Sequence, residues 1–394
     1  MEREPLLLRG GQVPFREGMR RLDVRLSGGR IAALGEDLPQ EDAKVKDVSG
    51  CFVLPGFIDV HTHGGAGVDV NHADLAALKK LAAFFASQGV TSFLPTVLSG
   101  APEEMAQSLR AVADARDASN SPGWNGARVL GCHLEGPHLC PAYKGAMPEQ
   151  YLTVPDPGAF EKLQEAGRGC ILRMTLSPEM PGAPEFTAWL SRRGISVSLG
   201  HSGADYRQTM ACIRQGASSA THTMNAMRPL HQHEPGILGA VLESDVYCEA
   251  ICDGLHLHPG IVRLLVKTKG IGRVVAVTDS IMAAGLHDGE YVLGVQPIVV
   301  TDGDARLKDG GSRAGSTLTM ARALQNLTAF TGLALHRAIV PLTAAPAALL
   351  GLENRKGRIE KGLDADITVL RPDLSVLMAI AGQEAVYDAG FENI

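Results

Sequence analysis

Residues 51–69, CFVLPGFIDVHTHGGAGVD, carry the reading on which the fold turns. A Pro-Gly pair introduces the apolar run Phe57-Ile58-Asp59-Val60, which ends in His61-Thr62-His63 before a glycine-rich break. Such a run predicts a buried strand. Residues two apart on a strand share a face, so His61 and His63 point the same way, as two ligands of one metal ion must. Two core histidines that merely satisfy hydrogen bonds fit the pair equally well, so the pair alone leaves both readings open.

Outward from this strand, the middle of the chain alternates apolar strand-like runs with helical patterns. The runs fall near 53–60, 90–97, 128–134, 170–176, 195–200, 217–222, 247–252 and 273–278. Leu75, Leu78, Ala82 and Phe85 have helical spacing and stop at Gly89. Tyr206, Met210 and Ile213 do likewise before Gly216, and Leu264-Leu265 sits in a short helix before Gly270. Strand–helix alternation argues for a parallel sheet, and eight such strands for a (β/α)8 TIM barrel. Two stretches interrupt the rhythm: the irregular TMNAMRPLHQHEPG at 223–236, and residues 290–310, which read as a β-hairpin insertion.

Both ends of the chain read as β structure. Leu6–Leu8, Leu22–Leu26 and Arg30–Leu34 are short strands, with Gly10-Gly11 and Gly28-Gly29 expected to separate them. Gly357–Ile359 and Ala365–Leu370 look strand-like at the other end. The expected division is a composite small β-sandwich domain from 1–53 and 352–394 around a barrel at 54–351.

Bulk properties narrow the class. The chain has 394 residues, 45% hydrophobic and 20% charged, with a net charge of −6. Neither nucleic acid nor an anionic membrane is favoured as a partner on that charge. The start, MEREPLLLRGG, lacks the character of a signal peptide, and no apolar stretch reaches the ~18 residues of a membrane helix. The seven cysteines include no CxxC pair. A reduced, cytoplasmic protein is expected.

The active face of a barrel is the C-terminal end of its strands. Those ends hold His61 and His63, His133-Leu134-Glu135, Gly200-His201-Ser202, Thr221-His222-Thr223, Asp253-Gly254-Leu255-His256, and Thr278-Asp279-Ser280. Any one of these residues alone is as well read as a hydrogen-bonded structural histidine or a capping aspartate. Together they point to a divalent metal. Imidazole and carboxylate without cysteine suit Zn, Fe, Co or Mn and disfavour Ca or Mg. The set has enough donors for one ion or two, and Glu135, with two oxygens, can bridge. Cys132 reads as core. A bound ion lowers the pKa of water and polarises a carbonyl. Hydrolysis also needs a base, for which Asp279 is the candidate.

PGFIDVHTHGG at 55–65, HLEGPHL at 133–139, LGHSGA at 199–204, THTMNAM at 221–227, EPGILGA at 234–240, DGLHLHP at 253–259, VTDSIMAAG at 277–285 and AGSTLTM at 314–320 follow one another along the chain. In this order they resemble the amidohydrolase superfamily, and within it the amino-sugar deacetylases. The HxH pair and the late Asp are common to the superfamily; HLEGP, THTMNAM, EPG and DGLH together mark the deacetylases. The resemblance implies a TIM barrel with a small β-sandwich built from both termini, usually as a homodimer. It implies Glu135, His201 and His222 as main metal ligands, His61 and His63 at a second metal position, and Asp279 as acid/base. Asn225 and Ala226 match backbone contacts to a small-molecule amino-sugar substrate. Asp253, Gly254, Leu255 and His256, with Arg313, Ala314 and Gly315, match further contacts. The implied reaction is hydrolysis of the 2-acetamido group of N-acetylglucosamine 6-phosphate.

Two positions depart from the family pattern. His233 stands where an arginine usually precedes Glu-Pro-Gly and holds the phosphate, and Met147 follows Lys144-Gly145-Ala146 where His or Gln is usual. A histidine is a weaker phosphate ligand than a guanidinium, and methionine donates no hydrogen bond. Arg228, His231, Lys144 or Arg313 could take the phosphate. The alternative is deacetylation of an unphosphorylated or different N-acyl amino sugar. A non-catalytic barrel would be expected to have lost ligands or Asp279, and all are present.

Overall fold

The computed structural model describes residues 4–121 and 123–390; the outermost parts of both terminal segments expected to build the small domain, 1–3 and 391–394, lie outside them. The barrel strands are Phe57–Thr62, Val90–Leu98, Cys132–Glu135, Ile171–Leu176, Ser196–Leu199, Ala217–Ala220, Tyr247–Ala250 and Val274–Ala276. Each pairs in parallel with the next. The ring closes just past the strand ends, where Asp279 N donates to His61 O at 2.9 Å and His63 N to Ser280 O at 2.8 Å. The chain thus forms a (β/α)8 barrel, and its closing seam is also where the first and last candidate ligands meet. Arg128–Val129 also pairs with Val90–Leu98, so the expected strand at 128–134 is one strand broken around Leu130-Gly131.

The helices follow their sequence signals. Leu75–Ser87 starts at Asp74, whose side chain accepts from Ala77 N, and buries Leu78, Leu81, Ala82 and Phe85 against the barrel. Tyr206–Arg214 is held by a capping box between Asp205 and Gln208. The helix that carries Leu264-Leu265 begins at Pro259, where a missing N–H costs nothing, and runs to Lys269.

Both ends of the chain share one eight-stranded mixed sheet. Leu6–Phe15, Gly18–Ser27, Arg30–Gly35, Lys44–Asp47 and Phe52–Pro55 join Ile367–Leu370, Val376–Ala381 and Glu384–Asp388. The junction is Phe52–Pro55 against Ile367–Leu370, antiparallel. This sheet has its own core, including Leu8, Val24, Val53, Ile367 and Ile380.

Four expectations are corrected here. The run 53–60 is two strands in two sheets, divided at Gly56. A Cβ at Gly56 would lie 2.1 Å from Thr91 Oγ1, so the crossover needs glycine. Gly10-Gly11 is not a turn: Leu6–Phe15 runs through it with a register shift between Leu8 and Gly11, a bulge that the positive φ of Gly10 accommodates. Gly357–Ile359 forms no strand, and Ile359 fills the small core instead. The insertion after the last barrel strand is a three-stranded antiparallel sheet, Gly289–Leu293, Gln296–Thr301 and Asp304–Leu307, rather than a simple hairpin.

Candidate metal and substrate site

The six ligand candidates converge at the C-terminal mouth of the barrel, all nearly buried. Three of them lie two or three residues beyond a strand end and take left-handed backbone: His201 at φ 49°, His222 at φ 26° and Asp279 at φ 48°. Non-glycine residues rarely adopt this region, and such strain gathers at functional sites. Each of these turns comes just beyond its strand and brings the side chain over the mouth.

Two triads result. In one, Glu135 Oε1 lies 3.1 Å from His201 Nε2 and 3.2 Å from His222 Nε2, and the two ring nitrogens are 3.1 Å apart. In the other, His61 Nε2 lies 3.2 Å from His63 Nε2, and Asp279 Oδ1 lies 3.3 and 3.1 Å from these nitrogens. Glu135 reaches both, since its Oε2 is 3.2 Å from His63 Nε2.

The donor set fits a divalent cation. His61 Nδ1 faces Glu249 Oε2 at 3.0 Å, His63 Nδ1 faces Thr96 O at 3.3 Å, and His201 Nδ1 faces Tyr143 O at 2.9 Å. An acceptor at Nδ1 places the proton there and leaves Nε2 with a lone pair. Facing lone pairs repel unless a proton or a cation lies between them. Their separations match the roughly 3.3 Å edge of a tetrahedron with Zn–N bonds of about 2.0–2.1 Å.

Electrostatics point the same way. Burial opposes charge on His63, but the Asp279 and Glu135 carboxylates outweigh it and raise its pKa to about 9. Burial likewise opposes charge on His61, and Glu135, Asp279 and Glu249 raise its pKa well above the ordinary value. Burial pushes Asp279 up, but His61 and His63 bring it down to about 2. Protons on these histidines occupy the charge balance that a cation would supply.

A supporting layer lies beneath. Glu249 Oε2 accepts from His222 N at 2.9 Å as well as facing His61, and Glu249 is ion-paired with the fully buried Arg173. Arg173 also donates to Ser198 Oγ and Ser219 Oγ, both at 2.8 Å. His133 shares the strand face of Glu135 but sits lower, with Nε2 2.8 Å from Thr175 Oγ1. Burial and the nearby charges of His61 and Arg173 hold its pKa well below the usual value.

Over the triads opens a cavity of about 510 Å³, within the range of small-molecule clefts. Of the residues expected at the substrate, Asn225 and Ala226 line it, as do Ala146 and Met147, His256, and Arg313, Ala314 and Gly315. Met147 is nearly buried in an apolar cluster with Leu98, Leu139 and Leu293, so it forms a wall. Asp253 is reached only through His256, whose Nδ1 lies 2.6 Å from Asp253 Oδ2. Gly254 and Leu255 border a separate cleft with Asp253. Arg228 and His233 do not line the cavity: Arg228 is ion-paired with Glu234, and His233 is exposed with its ring 5.5 Å from that of His231.

The sequence reading missed Glu249 and Arg173, Tyr143 with its carbonyl, and the cavity residues Arg306 and Ser312. Glu249 had a signal, a carboxylate inside an otherwise apolar strand run. Arg306 had none, since its position follows from the register of the inserted sheet.

Residues 52–387 match the Amidohydrolase family. The N-acetylglucosamine-6-phosphate deacetylase of Lysinibacillus sphaericus is 35% identical over 350 residues, covering 89% of this chain and 89% of that protein. The crystal structure of the Thermotoga maritima N-acetylglucosamine-6-phosphate deacetylase superposes with a TM-score of 0.87 at 34% identity, covering 97% of this chain and 100% of that one. A point mutant of the Mycobacterium smegmatis enzyme in complex with N-acetyl-D-glucosamine-6-phosphate also gives 0.87, at 32% identity, covering 97% and 99%.

Proposed function

The chain belongs to the amidohydrolase family, and from that premise we propose that it hydrolyses the acetamide of N-acetylglucosamine 6-phosphate to acetate and glucosamine 6-phosphate. The observation that carries the reading is Glu135 shared between two ligand triads, with Asp279 in one of them, on the floor of a cavity of sugar-phosphate size.

Glu135, His201 and His222 would hold one ion, and His61 and His63, with Asp279 beside them, a second. A bound divalent ion supplies a water of near-neutral pKa and polarises the amide carbonyl. Asp279, ionised in the folded protein, accepts a proton from the attacking water and returns it to the departing nitrogen. One C–O bond forms and the C–N bond breaks, so acetate and a free amine leave. His256, held by Asp253, is placed to hydrogen-bond the sugar. The walls formed by Leu98, Met147 and Leu293 exclude water from that side.

The donor chemistry puts Zn first among the metals, with Fe, Co and Mn after it. Seven free cysteines support a reducing, cytoplasmic setting, and among the described residues no helix is long and apolar enough to cross a membrane. A homodimer is the assembly expected from the resemblance, which light scattering would test.

The deciding experiment is acetate release by metal-reconstituted enzyme. N-acetylglucosamine 6-phosphate should be turned over with the highest kcat/KM among that substrate, its 4-epimer and the unphosphorylated sugar. Release of acetate from none of the three would overturn the proposal.

A further inference from the structure

At the cavity rim, the inserted sheet brings Arg306 and Arg313 together by an antiparallel backbone bridge. Arg306 has no part in the hydrolysis described so far, and Arg313 has been placed only in the cavity lining. Residues directly opposite in such a pair carry their side chains on the same face. Asp304 lies between the two guanidiniums and engages both. Its Oδ1 accepts from Arg313 Nε at 2.8 Å. Its Oδ2 accepts from Arg313 Nη2 at 3.0 Å and from Arg306 Nε at 2.9 Å, and it lies 2.7 Å from Arg306 Nη2. Arg306 Nη1 donates to Gly311 O at 2.8 Å.

Two arginines against one carboxylate leave a net charge of +1 at the rim. Both arginines line the cavity and both side chains are partly exposed. They are the only Arg or Lys among the described residues lining it. The other cations that sequence alone offers for an anion, Lys144, Arg228, His231 and His233, are not in that lining. The support is firm: Ile298, Val300 and Ala305 of the inserted sheet, and Ala314 beside Arg313, pack into one apolar cluster with Leu98 and Met147 of the cavity wall. Burial raises the Asp304 carboxyl, but Arg313 and Arg306 lower it below the ordinary range, so it stays ionised and keeps both forks oriented.

We propose that Arg306 and Arg313, locked side by side by Asp304, form the anion subsite that takes the phosphate of the substrate and set the preference for a phosphorylated over a neutral amino sugar. Asp304 takes the Nε and Nη2 edge of each guanidinium, so phosphate oxygens would meet the remaining N–H groups at the Nη ends, whose direction that pairing fixes before the ligand arrives. The inference rests on the hydrolysis proposed above and adds which residues of this chain read the charge.

The test compares kcat/KM on N-acetylglucosamine 6-phosphate and on N-acetylglucosamine for wild type, Arg306→Met, Arg313→Met and the double variant. The ratio between the two substrates should fall more than tenfold in each single variant and further in the double, chiefly through KM for the phosphorylated sugar. A ratio within twofold of wild type in all three variants overturns the subsite while leaving the hydrolysis intact. Wild type inactive on both sugars overturns the hydrolysis instead. A second measurement needs no variant. Phenylglyoxal labelling of the metal-loaded wild type, mapped by mass spectrometry, should be slowed at Arg306 and Arg313 by glucosamine 6-phosphate and not by glucosamine. Equal labelling with and without the phosphorylated amine also overturns the subsite.

Discussion

Asp279 Oδ1 stands 3.1 Å from His63 Nε2, across the seam where the last barrel strand closes on the first. Its place beside a candidate ligand, rather than in the triad of Glu135, His201 and His222, separates proton transfer from retention of an ion held there. Asp279→Asn should lower kcat by about 10²–10⁴-fold and keep the metal held by the Glu135 triad. Elemental analysis of the purified variant beside its turnover number tests this. Turnover equal to wild type would remove Asp279 as the base.

Glu135 contributes an oxygen to each triad, whereas His61 belongs to only one. Glu135→Ala should therefore bring the metal content below one ion per chain. His61→Ala should lower the ratio and leave one ion in place. Equal metal loss in both variants would contradict the two-triad arrangement.

Chelation should make stability depend on pH in a defined direction. The folded pKa of His63 is raised from 6.5 to about 9. In metal-free protein its contribution is complete below pH 6.5 and is lost as the pH climbs through 9. Asp279, lowered from 3.8 to about 2, contributes in full above 3.8 and loses its share as the pH falls through 2. In the loaded protein the cation replaces the histidine protons, and binding releases them. The gap in Tm between loaded and chelated protein should widen from pH 6.5 to 9, and calorimetry in buffers of different ionisation enthalpy should record the released protons. A constant gap across that window would show that His63 does not exchange a proton for metal.

Arg173 and Glu249 form a fully buried ion pair under the site. Arg173→Met leaves the carboxylate without its counter-charge and should destabilise the protein by about 3–5 kcal/mol. Adding Glu249→Gln should recover part of that loss while loosening the His61 ring. Thermal unfolding of the single and double variants would show it, and a single variant as stable as wild type would mean the pair is neutral to the fold.

The barrel was legible because its strand ends repeat one chemical theme, an imidazole or carboxylate just past an apolar run, from His61 to Asp279. Strand existence follows from local apolarity, which the sequence displays directly. The division at Gly56 did not show, because it depends on Thr91 packing against the backbone from another strand. Gly10-Gly11 looked like a turn because a bulge and a turn use the same residue. At the site, the candidate ligands could be picked out by residue type, and the fold brings them together. Which cations face the cavity could not, since His233 and Arg306 differ in loop path and sheet register rather than in chemistry.

The pairing of Phe52–Pro55 with Ile367–Leu370 constrains the order in which the molecule can be made. The two strands lie near opposite ends of the sequence, and Gly56 N donates to Asp366 O at 2.9 Å at the threshold of the first barrel strand. Contacts so distant in sequence slow folding, and domains acquire structure from the N-terminus as they are synthesised. A nascent chain therefore holds its opening strands against an unfilled edge until the whole barrel has been made. The clasp on the first strands leaves the ribosome long after them, and the strand that leads to His61 and His63 starts just beyond it.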